Sequence, residues 1–157
     1  MNIVSAEKRH IPGMLRLLGQ VGALHGAGRP DLFQAAALKY DAPALEALLN
    51  DPDAPIFIAE EEDVVGYCFC QSQTVTGNAC VTGRRELYID DLCVDERTRG
   101  SGIGRSLYEY VCHWAKAQGF DYITLHVWSF PGSAEGFYRS LGMKDRYICL
   151  EQKLEEL

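Results

Sequence analysis

The segment Asp90–Trp114, DDLCVDERTRGSGIGRSLYEYVCHW, decides how this chain folds. It predicts a strand ending at Val94, a short charged turn, a glycine-rich loop over residues 99–104 and then a helix. The first amides of a helix have no partner within it, and the helix dipole places about half a positive charge at that end. Because glycine lets an anion come close to the backbone, the segment indicates a phosphate-binding loop.

Composition and charge restrict the possible functions. The 157 residues are predicted to form one domain over residues 1–157, and 47% apolar with 24% charged residues is typical of a globular protein. The net charge of −7 argues against nonspecific nucleic-acid binding. The sequence shows no signal-peptide pattern and no apolar run of membrane-spanning length, which predicts a cytoplasmic protein with no membrane partner. The six cysteines are scattered, so no metal site is expected.

Hydrophobic periodicity predicts the elements on both sides of the opening segment. Three antiparallel strands are expected to lead into the glycine loop, and the strand after its helix should pair in parallel through a right-handed crossover. The fold class is therefore α/β (α+β), a mixed, mostly antiparallel sheet flanked by helices with a central β-α-β unit. The predicted strands are Asn2–Ser5, Pro55–Glu60, Val64–Thr74, Glu86–Val94, Asp121–Trp128 and Tyr147–Glu151. The predicted helices are Ile11–His25, one from Pro43 to Leu49, one from Ile103 to a C-cap at Gly119, and Ala134–Leu141 with Ser133 as N-cap.

Three known glycine motifs are alternative interpretations of the loop sequence. A Walker loop needs Gly-Lys-Ser/Thr, but Arg105 follows Gly104; a dinucleotide fingerprint needs G-x-G-x-x-G, and the loop reads G-x-G-x-G. Arg97–Gly102 instead satisfies R/Q-x-x-G-x-G/A, and Phe137–Met143 is similar to a second signature. With these two motifs the chain resembles the GNAT superfamily of acetyl-coenzyme A dependent N-acetyltransferases.

The resemblance implies acetyl-CoA as cosubstrate and a set of backbone contacts to it. The pyrophosphate is expected at the amides of Arg99, Gly100, Ser101, Gly102, Ile103, Gly104 and Arg105. The pantetheine arm is expected to pair with Leu92, Cys93 and Val94, in a split between this strand and Asp121–Trp128. The chain departs from the family pattern at Pro131, where many members carry an asparagine. The alternative is a glycine-rich connector that holds no ligand.

Tyr138 and Asp90 are the predicted catalytic residues. Tyr138 matches the family tyrosine that protonates the departing thiolate. The alternative is that Tyr138 is only an aromatic residue of the core. Asp90 resembles an acidic residue of the spermidine/spermine acetyltransferases, and we expect it to bind the amine and pass its proton through water, since a free aspartate is a weak base. The alternative is that Asp90 is a carboxylate at the strand end that pairs with Arg84 or Arg85. Regular strand alternation places Asp90 with Tyr88, Leu92 and Val94, opposite Ile89, Asp91 and Cys93, and a local bulge would alter this arrangement.

The remaining candidates concern the nucleophile and the acceptor. Cys93 could hold an acetyl group, but core packing is the more common fate of a cysteine. Asp91 and the cluster His25, Arg29, Asp31 and Phe33 are the predicted acceptor-binding residues, the alternative for the cluster being a surface turn with Phe33 inside. The resemblance thus implies an acyltransferase that moves an acetyl group directly to a primary amine of a small molecule or protein. The alternative is a noncatalytic acyl-CoA binding module. A homodimer is possible.

Overall fold

The computed structural model describes residues 1–35 and 37–156. A five-stranded sheet with the strand order β1-β2-β3-β4-β5 organises them. Its strands are β1 (Asn2–Ser5), β2 (Ile56–Glu60), β3 (Val64–Val75), β4 (Arg84–Val94) and β5 (Tyr122–Leu125). The helices are α1 (Ile11–Gly28), α2 (Ala42–Leu49), α3 (Ile103–Ala117) and α4 (Glu135–Ser140), with short 3-10 helices at Lys8–His10, Glu96–Thr98 and Leu154–Glu156. The first four strands pair antiparallel and β5 pairs parallel to β4, which confirms the predicted fold class.

Two apolar clusters lie on the two faces of the sheet. One joins the inner side of α1 and Leu45 of α2 to Tyr67 and Phe69 of β3. The other joins Leu107 and Val111 of α3 to buried residues of β2, β3 and β4. The clusters bury large side chains on both faces, and this burial is the main force that holds the helices on the sheet.

The chain forms two compact units, Met1–His126 and a second one from Val127 onward. The first contains the sheet with α1, α2 and α3, and the second contains α4. A single domain over residues 1–157 stays a prediction. No helix within residues 1–35 and 37–156 combines the length and the apolar character that crossing a membrane requires.

A β-bulge in β4 changes the predicted alternation of its side chains. Phe69 of β3 pairs with Asp91 and Cys70 pairs with Ile89, so Asp90 is an extra residue between two ladder positions. Ile89 and Leu92 therefore both contribute to the cluster under α3, whereas Cys93 belongs to the cluster under α1. The predicted faces, with Ile89 beside Cys93 and opposite Leu92, were wrong because the bulge inverts the alternation.

Several predicted boundaries and one predicted strand were wrong. α1 continues through Gly26 to Gly28, since glycine costs a helix only about 1 kcal/mol and does not by itself end it. β5 ends at Leu125 rather than Trp128, and α4 has Ala134 rather than Ser133 as its N-cap residue. Residues 147–151 form no strand; their apolar side chains are exposed, and strand-forming residues need a partner strand to form a ladder.

Candidate active site

The strands β4 and β5 part in the middle of β4. Their parallel pairing covers four positions and ends at the pair Ile89 and Leu125. Beyond it, Leu92–Val94 still pairs with β3 on one edge, so its other edge faces the opening between the two strands. The next residues after the last pair are Asp90 and His126, and Nδ1 of His126 lies 3.4 Å from the hydroxyl of Tyr88. An open strand edge can accept an extended, amide-bearing ligand as an added strand.

The glycine loop follows directly after β4 and leads into α3. Gly100 and Gly102 have φ values of 82° and 88°, which disfavour residues with a Cβ atom. A Cβ atom at either position would meet no protein atom within 4 Å, so the space above the loop is open. Gly102 is the N-cap residue of α3 and no side chain caps this helix, which leaves its first amides available to an anion. The loop therefore fits a pyrophosphate group.

Asp95 anchors the entry to this loop. Its side chain is fully buried and accepts hydrogen bonds from the guanidinium groups of Arg16 and Arg97 and from the Arg97 amide. The side-chain amide of Gln20 on α1 lies at 3.4 Å from the same carboxylate. The bonds from Arg97 hold the pKa of Asp95 far below its usual range in spite of burial. Sequence analysis missed this role, because nothing in the pattern indicates that α1 reaches the loop.

Asp90 is held by two residues that precede α2. Lys39 places Nζ 2.8 Å from Oδ1 of Asp90 and 3.1 Å from its backbone oxygen. The hydroxyl of Tyr40 donates a hydrogen bond of 2.6 Å to Oδ2 of Asp90. The predicted alternative, pairing with Arg84 or Arg85, was wrong: Arg84 pairs with Glu86, and Arg85 donates to the oxygen of Gln118.

Asp91 is held in the same manner by a tyrosine from β3. The hydroxyl of Tyr67 donates to Oδ2 of Asp91 at 2.9 Å. Burial raises the pKa of Asp91 to about 6, while the bond from Tyr67 and the charge of Lys39 act in the opposite direction. Burial also raises the pKa of Tyr67 and of Tyr40, so both phenols stay protonated and act as donors. Asp91 can thus exchange a proton near neutral pH.

Lys39, Tyr40 and Tyr67 were missed by sequence analysis. Tyr67 stacks on Phe69 with ring centroids 4.4 Å apart, and Tyr40 meets Phe69 edge to face at 5.7 Å. The available signal for Tyr40 was its position directly before Asp41, whose side chain caps the first turn of α2 and so fixes the local backbone. Nothing in the sequence indicates that this segment reaches β4.

Comparison with known proteins identifies the family. A model of the "Acetyltransferase (GNAT) family" matches residues 24–143, more than half of the chain. The chain belongs to the GNAT acetyltransferase family. A tetramutant of the BH1408 protein from Bacillus halodurans superposes with a TM-score of 0.93 at 29% identity, over 98% of this chain and all of that one.

Two further proteins show how far the likeness extends. Glucosamine-6-phosphate N-acetyltransferase from Arabidopsis thaliana shares the fold, with a TM-score of 0.70 at 20% identity over 98% of this chain and 97% of that one. Human N-acetyltransferase 8B is 37% identical over 60 residues, which are 38% of this chain. That match spans only 26% of the human protein's own length.

Cys93 is an unsuitable nucleophile in this GNAT chain. Its side chain is 4% exposed, and Sγ lies 3.7 Å from the backbone oxygen of Leu17 in α1. Burial, followed by the charge of Asp91, raises the pKa of the Cys93 thiol to about 12. The expectation of core packing is confirmed for its side chain, whereas a backbone contact of Cys93 with the cosubstrate stays a prediction. No group of three or more potential metal ligands occurs in the described parts of the chain.

The predicted acceptor residues lie at the end of α1 and in the turn after it. The rings of His25 and Phe33 lie 5.0 Å apart, and Arg29 pairs with Asp31 at 2.8 Å. Burial lowers the pKa of His25, and the charge of Lys39 lowers it further. The structure therefore forms two pairs, His25 with Phe33 and Arg29 with Asp31, and their contact with an acceptor stays a prediction.

Tyr138 belongs to the second compact unit. It lies on α4, is 8% exposed, and meets the ring of Phe137 edge to face at 5.1 Å. Pro131 precedes Gly132, which has a φ of 84° and stands in a turn before α4. The catalytic role of Tyr138 rests on its match to the GNAT signature and stays a prediction.

Proposed function

We propose that this GNAT chain is an N-acetyltransferase that moves an acetyl group from acetyl-CoA directly to a primary amine. The observation that carries the proposal is the bulge at Asp90, which lies at the point where β4 and β5 part. It brings two carboxylates to the beginning of an open strand edge that leads to the glycine loop. The name of the human relative, N-acetyltransferase 8B, supports this class of reaction.

The chain holds the cosubstrate mainly through its backbone. The amides of residues 99–105 bind the pyrophosphate at the N-terminus of α3, and Leu92–Val94 pairs with the amide groups of the pantetheine arm. Acetyl-CoA supplies the activated acyl thioester. Arg99 is fixed at this junction because its Nε donates to the oxygen of Val94 at 3.2 Å.

Asp90 and Asp91 have different roles toward the acceptor amine. Asp90 binds the ammonium form of the acceptor, because a carboxylate is the natural partner of a cation. Asp91, whose pKa is raised to about 6, receives the proton through water more readily than an ordinary aspartate. A backbone N–H near Leu92 stabilises the oxyanion, and Tyr138 protonates the departing thiolate.

A thiol-release assay with acetyl-CoA and a panel of primary amines tests the proposal. The panel contains polyamines, amino sugars and peptides with free amino groups, because the acceptor class is not specified by Asp90 alone. We expect acceptor-dependent release of free CoA that falls about 10²-fold or more in Asp90→Asn. Binding of acetyl-CoA without release for any amine contradicts the proposal and favours a noncatalytic acyl-CoA binding module. A cytoplasmic location and a homodimer stay predictions.

Tyr138→Phe tests the general acid separately. This variant removes only the hydroxyl group, so turnover should fall about 10²-fold or more while the Kd for acetyl-CoA stays within about twofold. Tyr147→Phe is the matched control, because Tyr147 is a 65% exposed tyrosine of the same unit. Equal turnover of the two variants contradicts the role of Tyr138.

A further inference from the structure

Lys39 occupies the position that the proposed function gives to the acceptor amine. Its Nζ lies 2.8 Å from Oδ1 of Asp90, the carboxylate assigned to ammonium binding, and 3.1 Å from the Asp90 oxygen on the bulge. Its side chain is still 46% exposed, so the amine reaches both the carboxylate and solvent. The chain therefore presents one of its own primary amines at its own acceptor site.

The segment that carries Lys39 is held at both of its ends. On one side, Gly22 of α1 allows close packing, since a Cβ atom there would lie 2.5 Å from the backbone oxygen of Ala37. On the other side, Tyr40 donates to Asp90, and Asp41 caps α2. Anchoring on both sides restricts the positions that the Lys39 amine can occupy, and this raises the effective concentration of the amine at Asp90.

We propose that Lys39 is a modification site at which the chain acetylates itself, with an acyl thioester as the donor. The inference rests on the proposed function. In this step, Nζ of Lys39 loses one proton to the Asp90 and Asp91 pair and forms an amide bond to the acetyl carbon. The bond between that carbon and the thioester sulfur breaks, and the second proton that Nζ gives up ends on the thiolate, which leaves as free thiol. The product is a neutral amide, so the ion pair with Asp90 ends.

The first experiment follows acetylation of individual lysines. The purified full chain is incubated with acetyl-CoA without added amine, and peptides are mapped by mass spectrometry over time. We expect an acetyl group on Lys39 at a rate at least about tenfold above that of the exposed Lys116 of α3 and independent of protein concentration. Similar rates at Lys39 and Lys116, or no acetyl group at Lys39, overturn the inference.

Two variants separate the site from general chemical reactivity. Asp90→Asn should slow acetylation of Lys39 by about tenfold or more and leave Lys116 unchanged. Gly22→Ala lies outside the site but displaces the Ala37 backbone, so it should slow Lys39 in the same direction. Melting curves first establish that both variants are folded. If Lys39 keeps its rate in both folded variants, the inference is wrong.

A second measurement needs no acetyl-CoA. In the free chain, an amine-reactive reagent should label Lys39 more slowly than Lys116, because the Lys39 amine is engaged in the ion pair with Asp90, and Asp90→Asn should remove the difference. Equal labelling in the parent chain overturns the inference. Thiol release with an external amine but no acetyl group at Lys39 rejects this inference alone. No release with any amine of the panel rejects the proposed function.

Discussion

Asp95 provides a quantitative test of how α1 holds the glycine loop. Its carboxylate is fully buried and receives bonds from Arg16, Arg97 and Gln20, so Asp95→Asn leaves two guanidinium groups without their shared anion. Removing one partner of a buried ion pair costs about 3–5 kcal/mol. Arg97 is 66% exposed and Arg16 is 33% exposed, so both can regain water. We therefore expect a loss near the lower limit, about 3 kcal/mol.

The exposed partner of the same arginine is the matched control. Asp63 pairs with Nη2 of Arg16 at 3.0 Å, and its side chain is 62% exposed. Asp63→Asn should cost only about 0.2–1 kcal/mol, as exposed ion pairs do. Urea denaturation followed by circular dichroism gives both free energies of unfolding, and for Asp95→Asn we expect a melting temperature lower by about 6–12 °C.

The pH dependence of folding stability tests the role of Asp95 independently. Because the folded pKa of Asp95 lies below the unfolded value, its contribution is fully present above the ordinary aspartate range and is lost as pH falls below that range. Asp95→Asn should therefore reduce stability at pH 7 and flatten the acid limb of the stability curve. Equal losses in Asp95→Asn and Asp63→Asn would refute the reasoning, as would a loss below 1 kcal/mol for Asp95→Asn.

Three further predictions address the loop, the cysteine and the second aspartate. Gly102→Ala should weaken acetyl-CoA binding in calorimetry and cost about 1–2 kcal/mol of stability, because Gly102 has a positive φ. Gly136→Ala should have neither effect, since Gly136 also has open space around a Cβ atom but lies in a helix. Similar effects of the two substitutions would contradict the importance of the positive φ. Iodoacetamide at pH 7.5 should alkylate the exposed Cys80 and leave Cys93 intact in the folded chain, and peptide mapping that finds Cys93 alkylated first would be inconsistent with its burial. The pKa of Asp91 in the folded chain, about 6, exceeds its value in the unfolded chain. Protonated Asp91 therefore favours folding at low pH, and this contribution to stability is lost as the pH rises from about 4 to 6. Asp91→Asn should remove this pH dependence from the free energy of unfolding measured in urea, and an unchanged pH dependence would contradict the raised pKa.

The sequence predicted the order of elements because each one depends on local patterns. The periodicity of α1 and α3, the hairpin of β2 and β3, and the glycines before α3 are all readable within short windows. The contact of Lys39 and Tyr40 with Asp90 spans about fifty positions, and that of Arg16 with Asp95 spans 79. Such contacts depend on how helices pack across the sheet, which no local pattern encodes.

The bulge at Asp90 explains why the site could be predicted only in part. Consecutive residues of a regular strand point to opposite faces, so Asp90 and Asp91 should lie on different sides of β4. The extra residue changes this: Asp90 binds Tyr40, Asp91 binds Tyr67, and both tyrosines pack with the cluster under α1. One inserted residue thus turns two adjacent carboxylates toward the same side, where Asp90 is 23% exposed and pairs with Lys39, and Asp91 has a raised pKa. The proposed function needs both an anion to bind an amine and a base to take its proton, and the bulge would supply both from two neighbouring residues that a regular strand would place on opposite faces.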